Sequence, residues 1–391
     1  MIDARVIVVG GGPAGLATAA LLAQDGIDTI LVAPAQSADD TRTVALMQPA
    51  LHLLERLQVW PGNLARHSAA LRHLDIIDET GNLVAAPRLT FSAIELGIES
   101  FGWNIPLSVL VAELAAAAQV AGVRRIDALA SRVEHGASEA TLTLSDGNRI
   151  SGQLLVAADG QSSLLRKAAG IAVDEWHFEQ SALVTSFSHT GPHNDCSTER
   201  HRLGGPFTTV PLPGRRSSLV WMAHAAEIGL LLEKQDRLPV EIQLATRGSL
   251  GLVTQVAPAR SFPMRGLKAR TFSGERTMLV GEAGHAFPPI GAQGLNMSLR
   301  DAGHVADVVL GHDDAGSPAA TADYHGLRVI DVSERQAAIT LVNKSLLADL
   351  LPLHLLRVGA LSMISAFPPL RQLVMRQGLA PAGHLPFVMR G

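Results

Sequence analysis

The sequence predicts an α/β fold: a mostly parallel sheet, a second and antiparallel sheet inserted into it, and a helical carboxyl-terminal region. Short apolar runs at Arg5–Val9, Thr29–Val32 and Leu154–Ala157 are typical of buried parallel strands. From about residue 172 to 266 the chain changes to alternating strand patterns between Gly- and Pro-containing turns, which is typical of antiparallel sheets. The pattern of residues 319–391 is mainly helical.

The composition restricts the class of protein. The chain has 391 residues, of which 47% are hydrophobic and 17% charged, and its formal net charge is −4. Such a chain can bury a large core and is expected to form more than one packed region. Lys and Arg are scattered without a basic stripe, so we expect no nucleic-acid partner. The single cysteine, Cys196, excludes an internal disulfide, and no uncharged apolar run approaches the ~20 residues that span a bilayer.

A glycine-rich turn follows the first strand and has the pattern G-x-G-x-x-G at residues 10–15. The first glycine makes the tight turn, the second lets the backbone approach a pyrophosphate, and the third lets strand and helix pack closely. A helix predicted over Leu16–Asp25 then directs its first backbone N–H groups at the phosphates. The turn therefore predicts a Rossmann-like dinucleotide site. Its predicted contacts are Gly10, Gly12, Pro13, Ala14 and Gly15.

The segment after the second strand departs from the usual dinucleotide pattern. Ala33 stands where an Asp or Glu usually holds a ribose hydroxyl. Arg42, in the next loop, either contacts the adenosine end of the dinucleotide or is an exposed, solvated side chain, and the sequence favours neither. A helix is predicted over Val44–Leu57, and a hairpin is predicted where Leu71–Ile77 and Leu83–Ala85 flank a turn.

A second motif, Ala158–Arg166, follows the buried strand at Leu154–Ala157. Its Asp159-Gly160 pair predicts a turn at the carboxyl end of that strand, where α/β folds bind ligands. We expect Asp159 to accept hydrogen bonds in that crevice and Gly160 to contact the same ligand.

A third motif runs from Leu279 to Asn296, between a buried strand and a helix. An acid at the strand end, Glu282, can accept hydrogen bonds from sugar-chain hydroxyls. The glycines that follow let the backbone approach a flat ring, and the helix beginning near Gly294 directs its positive end at that ring. The predicted contacts are Gly281, Glu282, Pro289, Gly291, Ala292, Gln293, Gly294, Leu295 and Asn296.

The fifteen histidines show no metal-ligand spacing, so we expect no metal site. His285, inside the third motif, either lines the site of the flat ring or hydrogen-bonds a loop, and the second is the simpler expectation. In the inserted sheet, His189, Arg200 and His201 could contact a bound ligand or face solvent, and solvent exposure is the simpler expectation.

These three motifs, in this order, resemble those of single-component flavin hydroxylases related in fold to p-hydroxybenzoate hydroxylase. They are closer still to the ubiquinone-biosynthesis FAD-dependent hydroxylases, and the resemblance covers nearly the whole chain. The family commonly has Asp at Glu282 and Gly at Ala292, and Glu keeps the carboxylate. The stretches that carry the resemblance are Arg42–Leu46, Glu55–Leu57, Gly102–Ile105, Ser163–Gly170, Gly281–Asp301 and Leu346–Gly378.

The resemblance implies FAD as the cofactor and NADH or NADPH as a transient reductant. It places the three glycines of residues 10–15 on the FAD pyrophosphate, Asp159 near FAD and the nicotinamide, and Glu282 on the ribityl chain. Gly291, Gln293, Gly294 and Asn296 would line the isoalloxazine. The implied reaction passes through a flavin C4a-hydroperoxide that transfers one oxygen to an electron-rich ring. It needs no nucleophile triad, so the sequence assigns no catalytic side chain.

We therefore expect an FAD-dependent monooxygenase that hydroxylates the aromatic ring of a polyprenylated ubiquinone precursor, an apolar aromatic small molecule. The alternatives are a related hydroxylase of another aromatic or polyketide substrate, a reductase of prenyl chains with a similar FAD-binding domain, and a non-catalytic flavin-binding accessory protein of a biosynthetic assembly. The predicted FAD-binding domain comprises residues 1–75, 101–171 and 267–318, the substrate domain residues 76–100 and 172–266, and the helical region residues 319–391.

The stretch Leu346–Val374 in the helical region is rich in Leu and Met. It is either a helix packed on the FAD-binding domain or an apolar surface that contacts a membrane or a multi-enzyme assembly, and packing is the simpler expectation. We expect a cytoplasmic protein, which the second alternative would place at the inner membrane.

Overall fold

The computed structural model describes residues 3–35, 40–81, 86–288, 293–347, 351–379 and 385–390. In chain order the strands are β1 (Ala4–Val9), β2 (Thr29–Val32), β3 (Thr43–Met47), β4 (Ala69–Leu71), β5 (His73–Asp78), β6 (Leu89–Ser92), β7 (Gly102–Pro106), β8 (Arg124–Ile126), β9 (Ala130–His135), β10 (Ala140–Leu144), β11 (Arg149–Ala157), β12 (Val173–His189), β13 (Cys196–Arg202), β14 (Gly205–Leu212), β15 (Arg216–His224), β16 (Val253–Val256), β17 (Arg260–Ala269), β18 (Ser273–Gly274), β19 (Thr277–Leu279) and β20 (His285–Ala286).

The helices connect these strands and form the carboxyl-terminal region. They are α1 (Pro13–Gln24), α2 (Gln48–Arg56), α3 (Gly62–His67), α4 (Leu107–Val120), α5 (Leu164–Ala168), α6 (Ala225–Glu233), α7 (Leu238–Ala245), α8 (Gln293–Gly311), α9 (Pro318–Leu347), α10 (Leu351–Ala366) and α11 (Pro368–Leu379).

The first sheet has the strand order β18-β19-β11-β1-β2-β8, with β10 and β9 added beside β11. Strands β19, β11, β1, β2 and β8 are parallel. Both faces of β1 are covered: Val6 and Val8 belong to one apolar cluster and Ile7 to another. This double burial explains why the strand is a continuous apolar run in the sequence.

The parallel register brings the ends of four strands together. Val9 pairs with Ala157 of β11 and with Val32 of β2, and Ala157 pairs with Leu279 of β19. Each of the three predicted motifs follows one of these strand ends. The three motifs therefore meet at one edge of the sheet, as the sequence predicts.

The second sheet has the order β20-β17-β12-β15-β14-β13-β5-β6, with β16 beside β12. Its pairs are antiparallel except β5 with β13, which is parallel. The predicted antiparallel sheet is thus present, with one parallel pair that the alternating pattern does not reveal. The turn and second strand of the predicted hairpin fall partly on residues 82–85, which lie outside the described residues.

A third, small sheet has the order β3-β7-β4 and corrects one prediction. The helix predicted over Val44–Leu57 is wrong in its first part, because residues up to Met47 form β3 and only α2 is helical. The strand pairs along its length with β7, and a Cβ at Gly102 would lie 2.0 Å from the Leu46 carbonyl oxygen. This close approach, and Pro49 in the first turn of α2, decide where the helix begins.

The carboxyl-terminal region is mainly helical, as predicted. Helices α10 and α11 pack against β6 and the turn after it, where Leu361, Ile364 and Met375 join an apolar cluster with Phe91 and Phe101. The cluster therefore ties the end of the chain to the second sheet. In the described part of the chain, none of the helices is long and apolar enough to cross a membrane.

Candidate active site

The glycine-rich turn packs as closely as its sequence predicts. Gly10 has a φ of 124°, and a Cβ there would lie 2.0 Å from the Ala158 carbonyl oxygen. A Cβ on Gly15 would lie 2.0 Å from the Gly10 carbonyl oxygen. Gly12, by contrast, caps α1 without a side-chain hydrogen bond, and a Cβ there would meet no atom within 4 Å. An open space thus lies at the positive end of α1, and it fits the FAD pyrophosphate.

Asp159, in the second motif, holds its own turn and keeps one oxygen available. Its Oδ2 accepts hydrogen bonds from the backbone N–H groups of Leu164, at 2.8 Å, and Leu165, at 3.3 Å. Its Oδ1 is buried and has no partner among the described residues. Gly160 follows with a φ of 81°, which a glycine adopts without strain. A buried acceptor without a partner at this edge fits a hydroxyl of the dinucleotide.

Arg166 connects the second motif to the third, a role that the sequence did not reveal. It is 3% exposed, and its guanidinium donates to the carbonyl oxygens of Ala283 and Gln161, both at 2.8 Å. Burial lowers the pKa of Arg166 below its usual value. The two hydrogen bonds fix the relative position of the two strand ends.

The acid of the third motif and Arg42 lie on the exposed side of the site. Glu282 is exposed and accepts a hydrogen bond from Nε2 of Gln161 at 3.3 Å. Arg42 pairs with Asp40 at 2.6 Å, and its guanidinium lies 5.7 Å from the ring centre of Phe262. The hydrogen bond to Asp40 raises the pKa of Arg42, with a smaller contribution from Glu282. Arg42 is therefore a paired side chain near Glu282, and its contact with adenosine stays a prediction.

A buried network fixes the strand end of the third motif. Asp301 in α8 accepts hydrogen bonds from the Gly281 backbone N–H at 2.8 Å, from Nε2 of His285 at 2.7 Å and from Nε of Arg328 at 2.6 Å. Burial favours a raised pKa for Asp301, but His285 and Arg328 outweigh it and hold the pKa below its usual value. Arg328 also donates to Asp331, at 2.7 Å. The expectation that His285 hydrogen-bonds a loop is therefore wrong, because its partner is a buried aspartate of α8.

The start of α8 carries the remaining predicted contacts. Asn296 donates from Nδ2 to the Ala45 carbonyl oxygen at 2.8 Å and accepts from the Met47 backbone N–H at 2.9 Å, so it holds β3. Gln293 accepts a hydrogen bond from Arg335. Gly294 and Leu295 line the cavity described below. Pro289, Gly291 and Ala292 lie outside the described residues.

A cavity of about 440 Å³ separates the third motif from the second sheet. Its surface is mainly apolar, and residues of both the third motif and the second sheet contribute to it. The lining residues are Thr43, Val44, Ala45, Met47, Leu71, Leu74, Asp75, Ile76, Phe91, Asn104, Ser197, Glu199, Thr208, Val210, Ser218, Val220, Glu282, Phe287, Gln293, Gly294 and Leu295. A mainly apolar cavity with a few polar groups is suited to an apolar ring with a polar substituent.

His189, Arg200 and His201 in the second sheet are buried, and the expectation that they face solvent is wrong. His189 is 3% exposed and shares a hydrogen bond with Oγ of Ser217 at 3.0 Å. Arg200 pairs with Glu79 at 2.5 Å, and His201 with Glu199 at 2.7 Å. Each has a partner on its own or a neighbouring segment, which the sequence alone could not assign. Within the described ranges, no group of three or more His, Cys, Asp or Glu residues could hold a metal ion.

Known proteins are similar to this chain in amino-acid sequence and in fold. The family described as "FAD binding domain" matches residues 3–311. The ubiquinone hydroxylase UbiL of Rhodospirillum rubrum is 28% identical over 404 residues, covering 99% of this chain and 93% of UbiL. The 3-demethoxyubiquinol 3-hydroxylase of Escherichia coli is 30% identical over 317 residues, covering 78% of this chain and 79% of that protein. The chain belongs to the family of ubiquinone-biosynthesis FAD-dependent hydroxylases.

The fold agrees with this family of FAD-dependent hydroxylases. The crystal structure of p-nitrophenol 4-monooxygenase PnpA from Pseudomonas putida superimposes with a TM-score of 0.76 at 16% identity, covering 98% of this chain and 99% of that one. The predicted fold class and the predicted FAD cofactor are confirmed. The contacts of individual side chains with FAD, and the limits of the predicted domains, stay predictions.

Proposed function

We propose that the protein hydroxylates the aromatic ring of a polyprenylated ubiquinone precursor, using FAD, NADH or NADPH, and O2. The observation that carries this proposal is the mainly apolar cavity, which the start of α8 and the second sheet both line. A prenylated ring needs such a cavity, since its apolar surface gains free energy on leaving water. The relatives in Rhodospirillum rubrum and Escherichia coli, a ubiquinone hydroxylase and a 3-demethoxyubiquinol 3-hydroxylase, agree with this substrate class.

The residues of the chain have distinct tasks in this proposal. FAD, when bound, supplies the redox chemistry with NAD(P)H and O2 that delivers one oxygen atom. The space at Gly12 would hold its pyrophosphate, and the positive end of α8 at Gln293–Leu295 would stabilise negative charge on its ring. The apolar residues of the second sheet hold the substrate ring and exclude water from it.

The test is turnover by the purified holoenzyme with a short-chain prenylated phenol under ¹⁸O2. We expect NAD(P)H oxidation that the phenol accelerates, and a product carrying one ¹⁸O atom by mass spectrometry. A yellow holoenzyme that oxidises NAD(P)H without forming any labelled product from prenylated phenols would overturn the proposal. A labelled product from a phenol without a prenyl chain, and none from the prenylated one, would favour another aromatic substrate.

We also propose that α10 and α11 contact the surface of a lipid bilayer, from which the prenylated substrate enters. Met363 is 64% exposed, Phe367 60% and Leu373 53%, so the two helices and the residue between them present apolar side chains outward. On their inner side the same two helices pack in a cluster with Phe91, which also lines the cavity. An apolar route of packed side chains therefore extends from the outer surface to the cavity.

The membrane proposal is tested by co-sedimentation of the holoenzyme with liposomes. The double variant F367S/L373S should bind liposomes several-fold less than the wild type, because it removes exposed apolar area. The control is Leu252→Ser, which removes an apolar residue of similar exposure, 60%, from the segment between α7 and β16. Equal sedimentation of the double variant and the control would contradict a membrane contact at α10 and α11.

A further inference from the structure

Glu199 occupies the middle of the sheet surface that forms one side of the cavity. In the register of the second sheet it pairs with Ile76 of β5 and with Thr208 of β14, and Thr208 pairs with Val220 of β15. All four side chains line the cavity. A carboxylate thus lies in a row whose other members are apolar or neutral.

The other two acids at the cavity are already engaged. Asp75 is 3% exposed; its Oδ1 accepts a hydrogen bond from Oγ1 of Thr90 at 2.5 Å and its Oδ2 one from Arg88. Glu282 belongs to the third motif and is expected to bind the ribityl chain. Glu199 is therefore the acid of this cavity that neither an ion pair with arginine nor the cofactor accounts for.

His201 holds one oxygen of Glu199 and leaves the other available. Its Nε2 lies 2.7 Å from Oε1 of Glu199, and because a carboxylate only accepts hydrogen bonds, Nε2 carries the proton. In the described part of the chain the Glu199 side chain has no other hydrogen-bond partner. The Glu199 side chain is 21% exposed, so water can reach the second oxygen while the cavity is open. A ligand that displaces this water leaves a carboxylate in an apolar cavity, which is costly unless the ligand itself donates a hydrogen bond.

We propose that Glu199, oriented by His201, accepts a hydrogen bond from a free hydroxyl on the substrate ring. This inference rests on the proposed function and narrows its substrate class to phenols, excluding the corresponding methyl ethers. The hydrogen bond fixes which edge of the ring faces the sheet, and so which edge faces the start of α8 across the cavity. It also increases the electron density of the ring, which favours transfer of oxygen to carbon.

The experiment compares two ligands of the holoenzyme: a short-chain prenylated phenol and its methyl ether. Binding of each is measured from the change in flavin absorbance, without turnover. The wild type should bind the phenol about tenfold or more tightly than the ether, because a hydrogen bond to a charged group is lost with the ether. In Glu199→Gln the amide can still accept from His201 but offers N–H toward the ligand, so the preference should fall to about twofold or less.

Two further variants control the result. Glu199→Asp keeps the carboxylate and should recover part of the preference for the phenol. Glu227→Gln, an exposed acid of α6, should retain the wild-type preference. Flavin content and the unfolding midpoint of each variant show whether it is folded.

The outcomes separate this inference from the proposed function. Equal binding of phenol and ether by the wild type, or an undiminished preference in folded Glu199→Gln, would overturn the role of Glu199 while prenylated phenols could still be hydroxylated. If Glu199→Gln does not take up FAD, the preference for the phenol over its methyl ether in the wild type and in Glu199→Asp tests the role of Glu199. Failure of the wild type to bind or hydroxylate either ligand would instead contradict the proposed function.

Discussion

At the scale of single residues, the third motif depends on a charge that lies outside it. Asp301 is 1% exposed and accepts a hydrogen bond from the Gly281 backbone N–H. Arg328 is fully buried, and the carboxylates of Asp301 and Asp331 compensate its positive charge. Removing one partner of a buried ion pair leaves the other charge uncompensated. The network therefore stabilises both the fold and the strand end at which FAD is expected to bind.

The first prediction concerns Asp301→Asn. We expect its free energy of unfolding to fall by about 3–5 kcal/mol, because the buried Arg328 loses a carboxylate partner. Urea denaturation of the holoenzyme at neutral pH measures this change. Asp323→Asn, which alters an exposed partner of His312, is the control and should stay within about 0.5 kcal/mol of the wild type. A variant at position 301 as stable as the control would contradict the importance of the buried pair.

The second prediction gives the pH dependence of the same effect. The pKa of Asp301 is lowered by folding, so its contribution is fully present above its unfolded value of about 3.9 and is lost as the pH falls through the folded value. The difference in unfolding free energy between the wild type and Asp301→Asn should therefore be largest near neutral pH and shrink below about pH 4. Denaturation curves across this range measure it, and a difference that does not change with pH would count against an ionised Asp301.

At the scale of elements, β3 shows where local sequence pattern fails. Residues 44–57 have a pattern typical of a helix, but the first four belong to a strand because β7 offers backbone partners that the chain reaches only after more than fifty residues. Asn296, at the start of α8, then satisfies the Ala45 carbonyl oxygen and the Met47 N–H. The amide side chain of Asn296 thus connects β3 to the start of α8.

The third prediction is that Asn296→Ala loosens β3 and weakens FAD binding. Two backbone groups lose their partner, which costs about 1–3 kcal/mol each where water cannot replace it. The flavin content after purification and the FAD dissociation constant measure the effect, and we expect at least about tenfold weaker binding. Asn63→Ala, which removes an exposed hydrogen bond to Glu113, is the matched control. FAD binding equal to that of the control would show that β3 does not need this side chain.

The features that the sequence predicted at this scale are formed by contiguous residues. The features that it missed are contacts between residues far apart in the chain. The sequence predicted three strand ends, because each carries a short contiguous motif with a known physical role. They are the turn at Gly10, the pair Asp159-Gly160 and the strand end at Gly281. Arg166, Asp301 and Glu199 were missed because their partners lie on other segments. The alternation of arginines and aspartates across α8 and α9 was the one signal that could have indicated the buried network.

At the scale of the whole molecule, the site expected to bind FAD joins distant parts of the chain. The three motifs begin near residues 10, 158 and 281, and the register of β1, β11 and β19 places them side by side. A ligand that contacts all three strand ends stabilises the folded chain by an amount set by its concentration relative to its dissociation constant. Binding of FAD should therefore stabilise most of the molecule against unfolding. Both the flavin half and the adenosine half of FAD should contribute to this stabilisation.

The last prediction compares FAD with FMN, which lacks the adenosine half, in thermal unfolding of apoprotein. At a concentration about 100 times its dissociation constant FAD should add about 2.7 kcal/mol, and FMN at the same concentration should raise the Tm much less. Gly15→Ala should abolish most of this difference, since its Cβ would lie 2.0 Å from the Gly10 carbonyl oxygen and displace the turn expected to bind the pyrophosphate. Gly229→Ala, whose Cβ meets no atom within 4 Å, is the control and should behave as the wild type. Equal shifts with FAD and FMN in the wild type would contradict a site in which the turn at Gly12 holds the pyrophosphate, because only FAD spans from that turn to the start of α8.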